Sequence, residues 1–147
     1  MSGKASVDGP VHGLFVYGTL RFPEILEILL GRVPRLTPAA VPGWRVRALP
    51  GVDYPGLVAD PGGTAEGMLI AGLTEDERRV LDEFEGDLYE PAVLPLADGS
   101  GRARAYLWRG PAEPYDWDLA DFAEHRLAAF AERCRAWRAG DPWPESI

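Results

Sequence analysis

The fold of this chain is organised around residues 13–24, which read GLFVYGTLRFPE. Four consecutive apolar or aromatic residues at positions 14–17 are typical of a buried strand. A Gly-Thr pair then interrupts the strand, and Pro23 stands where a first helical turn favours proline. A strand that ends at a glycine and turns into a helix leaves backbone N–H groups free to bind a carboxylate, phosphate or carbonyl oxygen. A plain strand-to-helix turn without a ligand explains these residues equally well.

The length, net charge and apolar content of the sequence restrict the class of protein. A chain of 147 residues fits one domain, which buries about 70% of its unfolded surface. The net charge of −8 argues against nucleic acid or an anionic membrane as partner, because both require a basic patch. It still allows a small anionic substrate held by a few local donors. No apolar run is long enough to span a bilayer and residues 1–10 lack a signal-peptide core, so we expect a cytoplasmic protein. The oligomeric state is not indicated.

The order of the helix and strand signals along the chain predicts one mixed α/β domain. We expect a flexible arm over residues 1–12, a single domain over 13–140 and a proline-bearing tail over 141–147. Thr74 and Glu77 form a capping-box pattern, which predicts a helix from about residue 75 to 85 with Gly86 as its stop. The other expected elements are a helix at 23–30, short proline-broken strands within 33–49, a strand at 65–71, a hairpin of 89–96 with 102–108, and one long final helix from Leu119 to Gly140.

Few residues of the chain suit nucleophilic or metal chemistry. His12 lies in the arm and His125 falls on the polar face of the last helix. Cys134, the single cysteine, lies on that helix's apolar stripe and is better explained as a small core residue. It can form neither an internal disulfide nor a cysteine-based zinc cluster, which suits a reducing compartment. Nucleophile-elbow, phosphate-loop and dinucleotide-binding patterns are absent. An enzyme with this sequence would therefore use acid–base transfer from a carboxylate, with no metal and no cofactor.

The best candidate carboxylates lie at residues 81–87, which read LDEFEGD. Four acids crowd the C-terminal end of the predicted helix, where the helix dipole disfavours negative charge. One of them could thus have the raised pKa that a proton shuttle needs near neutrality. Surface acids of an acidic protein are the alternative explanation. Glu83 and Glu85 both flank the apolar stripe, and helical geometry does not decide between them, although Glu85 lies nearer the glycine exit.

Four short stretches together resemble the γ-glutamylcyclotransferase-like superfamily, in particular its AIG2-like branch. They are FVYGTL at 15–20, YPGL at 54–57, EGML at 66–69 and LDEFEG at 81–86 followed by Tyr89. The resemblance covers roughly residues 14–108 and implies a small β-barrel flanked by helices. It also implies that residues 17–20 form a substrate-binding loop at the mouth of a cavity. The family's acid/base is the glutamate of its Glu-Gly pair, which corresponds to Glu85.

The resemblance implies an enzyme that cyclises a γ-glutamyl amine or γ-glutamyl amino acid to 5-oxoproline and releases the amine. Glu85 would transfer the proton, and a small-molecule substrate would be the partner. The expected substrate-binding residues are Tyr17, Gly18, Thr19, Leu20 and Tyr89. A non-catalytic module that binds a small anionic metabolite in the same cavity is the alternative, and a protein-interaction role for the last helix is less favoured.

Overall fold

The computed structural model describes residues 10–143, which form a mixed α/β fold. The helices and strands, in chain order, are β1 (Val11–Val16), α1 (Pro23–Leu30), β2 (Leu36–Ala48), β3 (Pro55–Ile70), α2 (Glu75–Glu85), β4 (Tyr89–Pro95), β5 (Arg102–Trp108), α3 (Leu119–His125) and α4 (Leu127–Arg138). Short 3-10 turns lie at Thr19–Arg21 and Gly86–Leu88. β1 includes residues 11 and 12 of the predicted arm; the rest of that arm up to residue 9, and tail residues 144–147, lie outside the described residues.

The five strands form one sheet in the order β2-β3-β1-β5-β4. β1 runs antiparallel to β3 and parallel to β5, and the two outer pairs are antiparallel. The sheet is open, because within residues 10–143 no ladder joins the outer strands β2 and β4. A backbone hydrogen bond from Ala97 N–H to the Ala40 carbonyl (2.9 Å) brings the hairpin end towards β2. The small barrel expected from the resemblance is thus not confirmed.

The central strand β1 is apolar throughout its second half because both faces of the sheet are covered. Side chains alternate across a strand, so Leu14 and Val16 pack into the core under the helices. Phe15 and Tyr17 pack into a second core on the opposite face. All four side chains are buried, which explains the unbroken apolar run that the sequence shows.

The predicted long final helix is wrong, because the structure divides it into α3 and α4 at Arg126. The backbone of Arg126 has φ −124° and ψ −21°, outside the helical range, and its N–H closes α3 on the Phe122 carbonyl. Because of this break, the residues that face the core differ from those that one continuous helix would place there. Phe122 is buried, whereas Ala123, which continuous helical spacing places on that face, is exposed.

The two longest strands replace the short extended pieces expected between residues 33 and 71. β2 tolerates its prolines because it lies at an edge of the sheet, where one side of the strand needs no ladder hydrogen bonds. The Asp-Pro-Gly-Gly sequence at residues 60–63 forms a bulge within β3, where the register shifts opposite Gly43. Along residues 10–143, no helix combines the length and the apolar character needed to cross a membrane.

Candidate active site

A cavity of about 280 Å³ lies where the C-terminal ends of β1 and α2 approach each other. Its lining comes from five parts of the chain, so tertiary packing rather than a local motif creates it. Every residue predicted for the site from sequence lines this cavity. The lining residues are Phe15, Val16, Tyr17, Gly18, Thr19, Leu20, Tyr54, Pro55, Glu83, Phe84, Glu85, Gly86, Asp87, Leu88, Tyr89, Tyr106, Phe130, Trp137 and Trp143.

The loop after β1 presents its backbone to the cavity. The Gly18 and Thr19 carbonyls accept hydrogen bonds from the N–H groups of Arg21 (3.0 Å) and Phe22 (3.3 Å). Among backbone carbonyls of residues 10–143, no acceptor is found for the N–H groups of Gly18, Thr19 and Leu20. These amides are therefore suited to bind an oxygen of a ligand.

Gly18 is required by a close approach of the strand β3. A Cβ atom at this position would lie 2.5 Å from Cγ and 2.9 Å from Cδ of Pro55, so a side chain cannot fit without displacing the proline ring. Pro55 also accepts a hydrogen bond from the Tyr89 hydroxyl at its carbonyl (2.7 Å). The start of β3 thus holds the loop and one tyrosine in fixed relative positions.

Glu85 is the last residue of α2, and the glycine after it sets the direction of the chain. Gly86 has φ +72° and ψ −165°, a backbone conformation that is essentially limited to glycine. This sharp turn ends the helix immediately after Glu85 and leads through the 3-10 turn to Tyr89. The Glu-Gly pair is therefore a structural unit that places a carboxylate at the helix end beside the cavity.

The surroundings of Glu85 disfavour its charged form. Burial raises the pKa of Glu85 to about 8, and the negative charge of Asp82 adds to the increase. The carboxylate of Asp82 itself accepts a hydrogen bond from the Tyr106 hydroxyl (2.6 Å). A carboxyl group with a pKa this close to neutrality is suited to act as both a general acid and a general base.

Three tyrosines surround Glu85 and stay neutral. Burial raises the pKa of Tyr17, Tyr89 and Tyr106 well above its ordinary value, and the charge of Glu85 contributes in each case. The Tyr17 hydroxyl donates to the Tyr106 carbonyl (2.7 Å). Because their hydroxyls bond to the protein, these residues shape the cavity more than they offer free donors to a ligand.

An aromatic wall, made of Phe84, Phe130, Trp137 and Trp143, was not predicted from the sequence. The Phe84 ring centroid lies 5.4 Å from those of Trp137 and Trp143, and the Phe130 centroid lies 5.4 Å from that of Trp143. The apolar spacing of the last helix includes Phe130 and Trp137 but does not show that they reach a cavity. Trp143 falls in the segment that the sequence predicts to be a tail.

Several other polar or reactive side chains lie outside the cavity. His125 and Tyr115 are exposed, and neither they nor Arg21 belong to the cavity lining. Cys134 is fully buried, and this burial raises the pKa of its thiol to about 12, so it is an inert core residue. Within the described part of the chain, no group of three or more His, Cys, Asp or Glu side chains could hold a metal ion.

The comparison with known proteins agrees with this architecture. The family model described as "Gamma-glutamyl cyclotransferase, AIG2-like" matches residues 14–124. The chain belongs to this family. AIG2-like protein C of Arabidopsis thaliana is 32% identical over 153 residues, covering 99% of this chain and 86% of the relative. AIG2-like protein B of the same plant is 31% identical over 136 residues, covering 87% of this chain and 79% of the relative.

Solved structures show the same fold. A solution structure of an Arabidopsis thaliana protein superposes with a TM-score of 0.62 at 28% identity, covering 88% of this chain and 93% of that chain. A structure named γ-glutamyl cyclotransferase superposes with a TM-score of 0.58 at 17% identity, covering 84% of this chain and 85% of that chain. At that identity the likeness concerns the fold alone.

Proposed function

We propose that this protein is a cofactor-independent cyclotransferase that converts a γ-glutamyl amine or γ-glutamyl amino acid to 5-oxoproline and the free amine. The observation that carries the proposal is the position of Glu85, whose pKa is raised to about 8, in the same cavity as residues 18–20, whose amides donate to no backbone carbonyl within residues 10–143. Membership of the AIG2-like family supports it.

Glu85 acts first as a base and then as an acid. Its carboxylate takes a proton from the substrate's α-ammonium group, and the amine attacks the γ-carbonyl carbon to form the ring C–N bond. The protonated Glu85 gives a proton to the nitrogen of the departing amine, and the amide C–N bond breaks. The ring nitrogen then loses its extra proton to the Glu85 carboxylate, from which it passes to the released amine.

The amides of Gly18, Thr19 and Leu20 supply the electrostatic part of the reaction. Attack on the carbonyl places negative charge on its oxygen, and backbone N–H donors fixed before the reaction stabilise that charge most effectively. Ring closure also requires the flexible glutamyl chain to fold back on itself. A narrow cavity favours this conformation by restricting the rotamers of the bound substrate.

A panel of γ-glutamyl amines, assayed for 5-oxoproline, tests the proposal. We expect product with the unmodified protein and a loss of at least about 100-fold in Glu85→Gln. Glu75→Gln is the matched control, because Glu75 lies in the first turn of the same helix and is exposed. Glu83→Gln separates the two neighbouring acids, since Glu83 also lines the cavity.

Product formation that survives Glu85→Gln would remove Glu85 from the mechanism. If no γ-glutamyl compound yields product but some raise the melting temperature, the chain is a metabolite-binding module, because a ligand that binds the folded state stabilises it without turnover.

A further inference from the structure

The aromatic wall lies in the same cavity as Glu85 but takes no part in the proton transfer proposed above. Phe84 precedes Glu85 on α2, and the other three rings come from α4 and the segment after it. Phe130, Trp137 and Trp143 lie beyond residue 124, where the family match ends. Most of this apolar surface therefore comes from outside the region that the family model matches, whereas Glu85 and the loop at 18–20 lie within it.

Arg133 packs against two rings of the aromatic wall. The guanidinium carbon lies 5.1 Å from the Phe130 ring centroid and 5.6 Å from that of Trp143. The same guanidinium forms a salt bridge with Asp53 (2.6 Å) in the loop between β2 and β3. Cation–π contacts with this ion-paired guanidinium stabilise Phe130 and Trp143 in the wall, which lowers the cost of ordering these rings when a ligand binds.

The charges around the cavity disfavour a second carboxylate on the substrate. Glu83, Glu85 and Asp87 line the cavity, and the lining identified within residues 10–143 includes no Arg, Lys or His. Arg133 is outside that lining and bonds to Asp53. The amides of residues 18–20 are needed for the glutamyl half and the reacting carbonyl. A carboxylate on the amine half would therefore lose its hydration without gaining a cationic partner.

Building on the proposed function, we infer that the amine half of the substrate is an arylalkylamine without a carboxylate, bound against the aromatic wall. The preferred substrates are γ-glutamyl arylalkylamides, and γ-glutamyl amino acids are poor substrates. Ring–ring contacts with Trp137 and Trp143 supply the affinity, since aromatic burial and edge-to-face contact both stabilise such a complex.

Four compounds test separately the preference for an aromatic ring and the discrimination against a carboxylate on the amine half. γ-Glutamylphenethylamide and γ-glutamylphenylalanine differ by one carboxylate, as do γ-glutamylethylamide and γ-glutamylalanine. The phenethyl and ethyl amides differ by one phenyl ring. We expect the phenethylamide to have a kcat/KM about 10- to 100-fold above that of the ethylamide. Each carboxylate lowers kcat/KM by about 10-fold or more.

Trp143→Leu tests whether the aromatic wall causes the preference for the phenethylamide. It should reduce the ratio of kcat/KM for the phenethylamide to kcat/KM for the ethylamide by about 5-fold or more, because the substrate's phenyl ring loses an aromatic contact. Tyr115→Leu is the matched control, because this exposed aromatic residue is absent from the cavity lining and its loss should leave the ratio unchanged.

Thermal stabilisation by the same four compounds distinguishes failure of this inference from failure of the proposed function. Turnover of the carboxylate-bearing compounds at rates equal to their amides would overturn the inference and leave the cyclotransferase activity standing. If none is turned over but the phenethylamide stabilises the protein most, the wall binds as inferred and the reaction is absent. No turnover and no stabilisation by any of the four would overturn both.

Discussion

Replacing Glu85 by glutamine should stabilise the protein at alkaline pH. Burial raises the pKa of Glu85 from 4.5 to about 8, so the folded state retains this proton where the unfolded chain has lost it. The stability supplied by the protonated carboxyl is fully present below pH 4.5. It falls as the pH rises from there through 8, because the folded state then binds more protons than the unfolded state. Glutamine is neutral at every pH and avoids this loss.

The size of the effect follows from the two pKa values. Each pKa unit corresponds to about 1.36 kcal/mol, which sets a ceiling of about 5 kcal/mol above pH 8. Water that enters the cavity and small rearrangements reduce this ceiling, so we expect on the order of 2–4 kcal/mol. For a domain of this size, the difference corresponds to an increase in melting temperature of roughly 5–15 °C for Glu85→Gln relative to the unmodified protein.

Calorimetric or spectroscopic melting of both proteins at pH 4, 6.5 and 9 measures the effect. The two melting temperatures should agree within a few degrees at the lowest pH and separate progressively above it. Below pH 9 the neighbouring tyrosines stay protonated, because burial raises the pKa of each. Glu75→Gln, an exposed position on the same helix, controls for the removal of one glutamate charge. A melting-temperature difference between Glu85→Gln and the unmodified protein that is constant across pH would refute the assignment of a raised pKa to Glu85.

Three further substitutions test the framework around Glu85. Gly18→Ala should lower the free energy of unfolding by about 1–3 kcal/mol, measured by urea denaturation, because its Cβ would overlap the Pro55 ring. Gly86→Ala should cost a similar 1–3 kcal/mol and reduce activity, since alanine disfavours the φ of +72° at this position. Asp82→Asn should shift the rise of the pH–rate profile to lower pH, because the Asp82 charge is the second cause of the raised Glu85 pKa. The asparagine side chain keeps an oxygen that can accept the Tyr106 hydrogen bond. An unchanged pH–rate profile would exclude this effect of the Asp82 charge.

The elements with complete local signals were predictable from the sequence. Helix α1 occupies the predicted range, and Gly31 ends it in the left-handed conformation (φ +80°). The capping box of α2 is present in both directions, with Glu77 N–H donating to Thr74 Oγ1 (3.1 Å) and Thr74 N–H donating to Glu77 Oε1 (2.9 Å). These elements are decided within one or two turns of chain, so tertiary packing has little to change.

The elements that depend on distant partners were not predictable. The prolines of β2 indicate interruptions when read locally, yet the strand is continuous because its free edge makes the missing N–H donors harmless. The break at Arg126 also lacks a local signal, since no glycine or proline marks it. It allows Phe122 to reach Phe22 and Phe130, whose ring centroids lie 5.6 and 5.5 Å away.

The candidate site also has parts that the sequence indicates and parts that only the fold brings together. The loop at 17–20 and the Glu-Gly pair are short continuous motifs, and the residues themselves left only Glu83 and Glu85 to separate. The structure brings both acids to the cavity, and Glu85 is the one that ends α2 at the Gly86 turn. The aromatic wall joins residues that are far apart in sequence, so no single stretch could have indicated it.

The proposed catalytic role of Glu85 and its cost to the stability of the fold have one structural origin. Gly86 ends α2 immediately after Glu85, at the helix end where the dipole disfavours negative charge, and the cavity removes water from the same carboxyl. A sequence that placed a lysine or arginine at this helix end would stabilise the fold and lower the pKa of Glu85, but it would also trap the carboxylate in its ionised form. Because α2 has no basic residue in its last turn, no cation on this turn opposes the raised pKa of Glu85, and the proposed reaction uses the proton that Glu85 holds near neutral pH. The acidic end of this helix is therefore best explained as a cost in stability that the proposed proton transfer requires.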